Sequence, residues 1–153
     1  MRHTRMLLAA VLVLLWAAAA SHGFQAGYPD PATSPAGSAD VRTQVRTAIT
    51  HARFAAESAG LAGVEQHLGH ALNCIEGPRG RNFNRAWGHP CEGQGNGILV
   101  DLRTTAGGAD LVLVAEHAGS LAVAGTKSRS LNEARMAARG VGALLSVIAD
   151  NLR

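Results

Sequence analysis

Two cysteines and three histidines fall into one pattern, His67-x-x-His70-x-x-x-Cys74 followed by His89-Pro90-Cys91. The whole chain holds only two cysteines and seven histidines, so the grouping stands out. Imidazole and thiolate are ligands for Zn, Cu and Ni. On a helix, His67 and His70 at i and i+3 lie on one side and can reach one ion. Cys74 follows one turn further on. What the cysteines do depends on where the protein resides. Reduced, they would supply thiolates, as in a copper site; in an oxidising compartment they would pair.

The N-terminus bears on that choice. Arg2, His3 and Arg5 precede an unbroken apolar run from Met6 to Ala20. Ala18 and Ala20 supply the small residues that signal peptidase requires, so a cut after Ala20 is expected, with Gly23 as the second choice. The run has about fifteen residues, fewer than the roughly 20 of a membrane-spanning helix. Arg2 and Arg5 are not adjacent, which argues against the twin-arginine route. Residues 1–20 therefore read as a signal peptide, and the protein as periplasmic or secreted with no stable membrane span after cleavage. An uncleaved anchor is the alternative. A Cys74–Cys91 disulfide follows from export. It would close a loop of about 17 residues, worth roughly 3 kcal/mol in the loop-entropy model.

Cleavage after Ala20 removes two arginines and no acid, lowering the formal charge of +3 by two. Too little positive charge remains for a nucleic-acid surface, which needs a concentrated basic patch. Aromatics make up only 4% of the chain, so its elements must pack on small side chains. The Ala-, Gly- and Arg-rich composition suits a bacterium with a GC-rich genome.

The elements that must position the ligands can be read from periodicity. Residues 21–38 carry Pro29, Pro31 and Pro35 among small polar residues and read as a flexible tail. Residues 39–153 form the domain. Asp40 is a candidate N-cap for a helix from about Val41 to Ser58, with Val41, Val45, Ala48, Ala52, Ala55 and Ala59 as its apolar stripe. Gly60 and Gly63 mark a turn. A second helix runs from about Ala62 to Ile75 on Leu61, Val64, Leu68, Ala71, Leu72 and Ile75, and Gly77, Pro78 and Gly80 stop it. From Glu76 to Gly97 the chain carries six glycines and two prolines, with Phe83 and Trp87 inside. A connection this long is either functional or covalently tied down. Ile98 to Thr105 is open between helix and strand. Leu111 to Ala124 fits a helical face through Leu111, Val114, Ala115, Ala118, Leu121 and Ala122. Ser130-Leu131-Asn132-Glu133 matches a capping box. The stripe Leu131, Ala134, Ala138, Val141, Leu145, Ile148 and Leu152 follows it. The expected fold is all-α: a four-helix bundle of two antiparallel hairpins with a long Gly-rich, disulfide-tied loop. An α+β arrangement with strands in 98–114 is the alternative.

On the second helix His67, His70 and Cys74 form a stripe beside the core. His51 lies at the edge of the first helix's apolar arc, and an antiparallel hairpin could bring it towards His67 and His70. The disulfide would carry His89 to the end of the second helix. The candidate ligands are thus His51, His67, His70 and His89, with His117 possible and Glu65, Glu76 and Glu116 as carboxylate partners. Cu, Zn and Ni are the metals that suit them. A Cys-x-x-Cys-His motif is absent, which excludes covalent haem attachment. Noncovalent His/Met ligation would rest on Met136, which lies off the last helix's main stripe. Gly93-Gln94-Gly95-Asn96-Gly97 resembles an anion loop without a P-loop lysine, and tight turning near the disulfide is its expected role. Arg79, Arg81 and Arg85 make a small basic patch. No nucleophile elbow or catalytic triad pattern occurs, so the chain is not read as an enzyme.

With His51, His67, His70 and His117 on successive Ala-rich helices, the chain resembles small exported four-helix-bundle metal-binding or cytochrome-b562-like proteins. The resemblance is one of architecture over about residues 40–152. The chain departs from the cytochrome pattern in lacking an early methionine ligand and a histidine in its last helix. It implies a metal ion as partner, for storage, buffering or sensing. The other reading is a structural or protein-interaction module of the cell envelope without a cofactor, using the Phe83–Trp87 loop or a groove.

Overall fold

The computed structural model describes residues 40–152. The expected signal peptide and tail lie outside the described residues. The described chain is all-helical, with no strand. It has five α-helices: α1 (Val41–Glu57), α2 (Leu61–Glu76), α3 (Ile98–Leu102), α4 (Val112–Lys127) and α5 (Leu131–Asn151). Single 3-10 turns occur at Arg85–Trp87 and Ala109–Leu111. None of these helices is long and apolar enough to cross a membrane.

The four helices expected from periodicity are present within a few residues of their expected ends. The fifth, α3, settles the ambiguous 98–105 stretch. Ile98 and Leu102, four residues apart, are both fully buried, as one helical turn facing the core requires. The strand alternative for 98–114 does not occur.

Sequence chemistry explains the ends. The Asp40 carboxylate accepts from the Arg42 amide at the start of α1. Ser130 Oγ accepts from the Glu133 amide, giving half of the expected capping box. The other half is diverted: the Ser130 amide donates to Ser128 Oγ, and that hydroxyl donates to Glu133 Oε2. Ala59 and Leu61, expected in the apolar stripes, are exposed because they flank the α1–α2 turn.

α1 packs on α2 and α5, and α4 packs on α2 and α5. Arg42 at the start of α1 donates to the Leu152 carbonyl, while Arg135 early in α5 grips the Ser58 carbonyl with two nitrogens. These contacts set α1 and α5 antiparallel. The core is built largely of small residues, with Ala48, Ala52, Ala55, Ala71, Ala115, Ala118, Ala122, Ala134 and Ala138 buried beside Leu68, Leu72, Ile75, Leu145 and Ile148. A Cβ placed on Gly125 would stand 2.5 Å from Leu68 Cδ1, so α2 and α4 approach closely there.

Residues 77–97 are held against α2 and α1 at several points. Cys74 and Cys91 form a disulfide with Cα atoms 5.3 Å apart, and both residues are buried. The Asn73 side chain donates to the carbonyls of Asn84 and Gly88 and accepts from the Asn84 amide. Gln44 on α1 and Asp101 on α3, both buried, receive the other end. Gln44 Nε2 donates to Asp101 Oδ2, and the amides of Gly97 and Asn96 donate to Gln44 Oε1 and Asp101 Oδ2.

Candidate metal site

α1 and α2 are joined only by Ser58, Ala59 and Gly60. Residues equally far from so short a turn face each other across an antiparallel pair. His51 and His67 satisfy this condition, and His70 lies one turn beyond His67. Each ring sits beside its helix's core stripe rather than within it, and all three side chains are partly exposed.

The three rings converge through their Nδ1 atoms. His51 Nδ1 lies 3.4 Å from His67 Nδ1 and 3.2 Å from His70 Nδ1. One ligand atom from each histidine falls within 4.8 Å of the others. Metal–nitrogen bonds of about 2.0–2.1 Å at tetrahedral angles place ligand atoms ~3.3 Å apart, so the spacing fits a shared ion. It suits hydrogen bonding less well. N–H···O bonds peak at about 2.9–3.0 Å, and Nδ1 offers one in-plane site, either a proton or a lone pair. His51 Nδ1 faces two partners with that single site.

At two of the three rings the surroundings favour the neutral form. Burial holds the His51 pKa down to about 4, with further lowering from the neighbouring charges of His70 and His67. His70 is also lowered, first by burial and then by His67, against the upward pull of the Trp87 carbonyl. Neutral imidazole is the form that ligates a metal.

Residues that sequence reasoning missed complete the surroundings. Phe54 stands edge-on to both His51 and His67, with ring centroids 5.8 and 5.4 Å away. Arg53 lies over the Phe54 ring. Gln66 Nε2 is 3.0 Å from His70 Nε2 and donates to the Trp87 carbonyl at 2.7 Å. Helical spacing was the available signal: Phe54 is i+3 from His51, and His70 is i+4 from Gln66.

The other candidates lie elsewhere. His89 is not a member of the converging group. Its ring meets Phe83 edge-on at 5.2 Å, and its Nδ1 is buried with no hydrogen-bond partner. Gly88, its neighbour, is the residue that reaches His70. His117 is exposed, and its Nδ1 donates to the Leu113 carbonyl one turn back on α4. Glu76 accepts from Asn82, and Glu116 pairs with Arg103 on the surface. Glu65 is exposed on α2. Cys74 and Cys91 are spent on the disulfide, so neither offers a thiolate. The amides of Asn96 and Gly97, which an anion loop would need, are taken by Asp101 and Gln44.

A haem does not fit the triad. Two axial nitrogens across an iron stand ~4 Å apart with the macrocycle between their rings. The Nδ1 atoms here are closer than that, and Met136 is exposed on α5. Comparison with protein-family models, curated proteins and solved structures finds no match for this chain.

Proposed function

We propose that this protein binds one transition-metal ion through Nδ1 of His51, His67 and His70, to store, buffer or sense it outside the cytosol. The single observation that carries this reading is the convergence of three imidazole nitrogens at 3.2 and 3.4 Å. Rings scattered beyond ~8 Å could not share one ion with bonds of about 2 Å. The centroids here are 4.6–5.6 Å apart. Zn, Cu and Ni all accept imidazole. The reading is of a binding protein rather than an enzyme, carried on a bundle of the four long helices. Export to the periplasm or medium is part of the proposal, and the disulfide supports it.

Isothermal titration with Zn(II), Cu(II) and Ni(II) tests the reading. At least one metal should bind at one equivalent, and the double variant His67→Ala/His70→Ala should lose more than the roughly 100-fold that a single outer partner is worth, since two of the three ligands are removed. Affinity unchanged in that variant would sink it and leave the interaction module as the better description.

A further inference from the structure

Gln66 holds His70 from outside the triad. It is exposed on α2 four residues before His70, so helical geometry sets its side chain beside the ring. Its amide nitrogen meets two groups at once, the Trp87 carbonyl at 2.7 Å and His70 Nε2 at 3.0 Å. A carbonyl oxygen only accepts, so the Gln66 group facing it is the NH2 and not the amide oxygen. That NH2 has two protons to give. One goes to Trp87 and the other to His70 Nε2, which therefore presents a lone pair. A neutral imidazole with a lone pair on Nε2 carries its proton on Nδ1. The proton points into the triad, where His51 Nδ1 stands 3.2 Å away to accept it. The Trp87 carbonyl that orients Gln66 is itself well placed. The Trp87 ring lies on Gly69, and Asn73 donates to the carbonyls of Asn84 and Gly88 on either side.

We propose that Gln66 is a latch on the metal site: it holds metal-free His70 in the tautomer that cannot ligate through Nδ1, and so keeps the affinity below what the three imidazoles alone would give. This rests on the triad being a metal site. Binding exchanges protons without changing the charge of the ring. The Nδ1 proton passes to water as the ion takes that lone pair, and Nε2 takes a proton from water. Nε2–H then faces the Gln66 NH2, donor against donor, and the amide swings away, which its exposed position allows. Turning the amide over in place does not help, because its oxygen would then face the Trp87 carbonyl oxygen. Each binding event therefore costs the hydrogen bond from Gln66 to His70. The usual outer partner of a ligating histidine accepts its second proton and raises affinity. Gln66 is a donor at that position and does the reverse, which suits buffering or sensing of an ion that must be given up again.

Zn(II) affinity is measured by chelator competition for the wild type, Gln66→Ala and Gln66→Glu, and imidazole nitrogen NMR locates the ring protons. Gln66 is exposed, so neither substitution enters the core. In the metal-free wild type the His70 proton should sit on Nδ1; in the Zn(II)-loaded protein it should sit on Nε2, with the metal on Nδ1. Gln66→Ala removes the NH2 and adds no charge. It should bind Zn(II) about threefold to tenfold more tightly than the wild type, the worth of one ordinary hydrogen bond. Gln66→Glu puts an acceptor where the donor was. It should bind about tenfold or more tightly than the wild type, and its metal-free His70 should carry the proton on Nε2. A Gln66→Glu variant that gains affinity with that proton still on Nδ1 acts by charge alone and overturns the proposal. So does a metal-free wild type with the His70 proton on Nε2, or a His70 that ligates through Nε2. A wild type that does not bind Zn(II) overturns the metal site and the latch together; one that binds, with Gln66→Ala no tighter, overturns the latch and leaves the metal site standing.

Discussion

At the scale of single residues, the triad stores a conflict that protons cannot relieve. Three imidazoles crowd their Nδ1 atoms together, and each proton added repels the next. At His51 burial does most, with His70 and His67 adding to it, and the pKa is held down to about 4 against an ordinary 6.5. The folded protein therefore resists a proton that the unfolded chain accepts. Stability contributed by neutral His51 is complete above pH 6.5, falls as pH drops towards 4, and levels off below. For a half-exposed ring this amounts to roughly 1–2 kcal/mol after allowance for solvent screening. Urea midpoints of apoprotein at pH 7 and pH 4.5 should show the loss. His51→Leu, which has no proton to take, should lose less over the same interval. An equal loss in both proteins would mean that carboxylates account for all of it.

At the scale of elements, the pattern of helices was legible because Val41, Val45, Ala48 and Ala52, or Val141, Leu145 and Ile148, recur at helical steps with no competing period. His67 and His70 were legible as a pair for the same reason. His51 was legible only as a residue an antiparallel hairpin could bring near, since the sequence leaves the register open; in the structure the connection Ser58 to Gly60 sets it opposite His67. His89 was placed by following the disulfide, yet sequence cannot say which way a residue two positions from a bridge will turn. Gly88 faces His70, and His89 turns to Phe83. The roles of Gln44 and Asp101 were hidden because a polar residue on a helix ordinarily reads as surface. Gly69 in α2 carries no sequence signal of its own, yet it is where the Trp87 ring lies. Gly69→Ala puts a methyl within 2.3 Å of that ring, which must move. We expect a net loss of about 1–3 kcal/mol, despite the helix propensity that alanine adds. Thermal unfolding of the variant measures it. An unchanged melting temperature would show that the ring yields freely.

At the scale of the whole molecule, the disulfide and the metal share α2, the metal joining it to α1 and the bridge joining it to residues 77–97, and so their effects should not add. Sites that share partners interact in stability, whereas distant ones do not. The bridge alone should contribute about 3 kcal/mol by constraining the unfolded chain. Metal at a hundred times its dissociation constant should add about 2.7 kcal/mol by binding only the folded state. Cys74 follows His70 by one helical turn, so if the bridge steadies that turn its loss also weakens the metal, by about tenfold. At fixed free Zn(II), the metal's stabilisation of Cys74→Ala/Cys91→Ala should then be smaller than that of the wild type by about 1.4 kcal/mol. Urea unfolding of both proteins, each with and without Zn(II), closes the cycle. A metal increment of the same size in both would mean that the bridge stabilises the fold without touching the site. A smaller increment in the variant places the coupling in the folded protein, because a constraint on the unfolded chain alone is the same with and without metal.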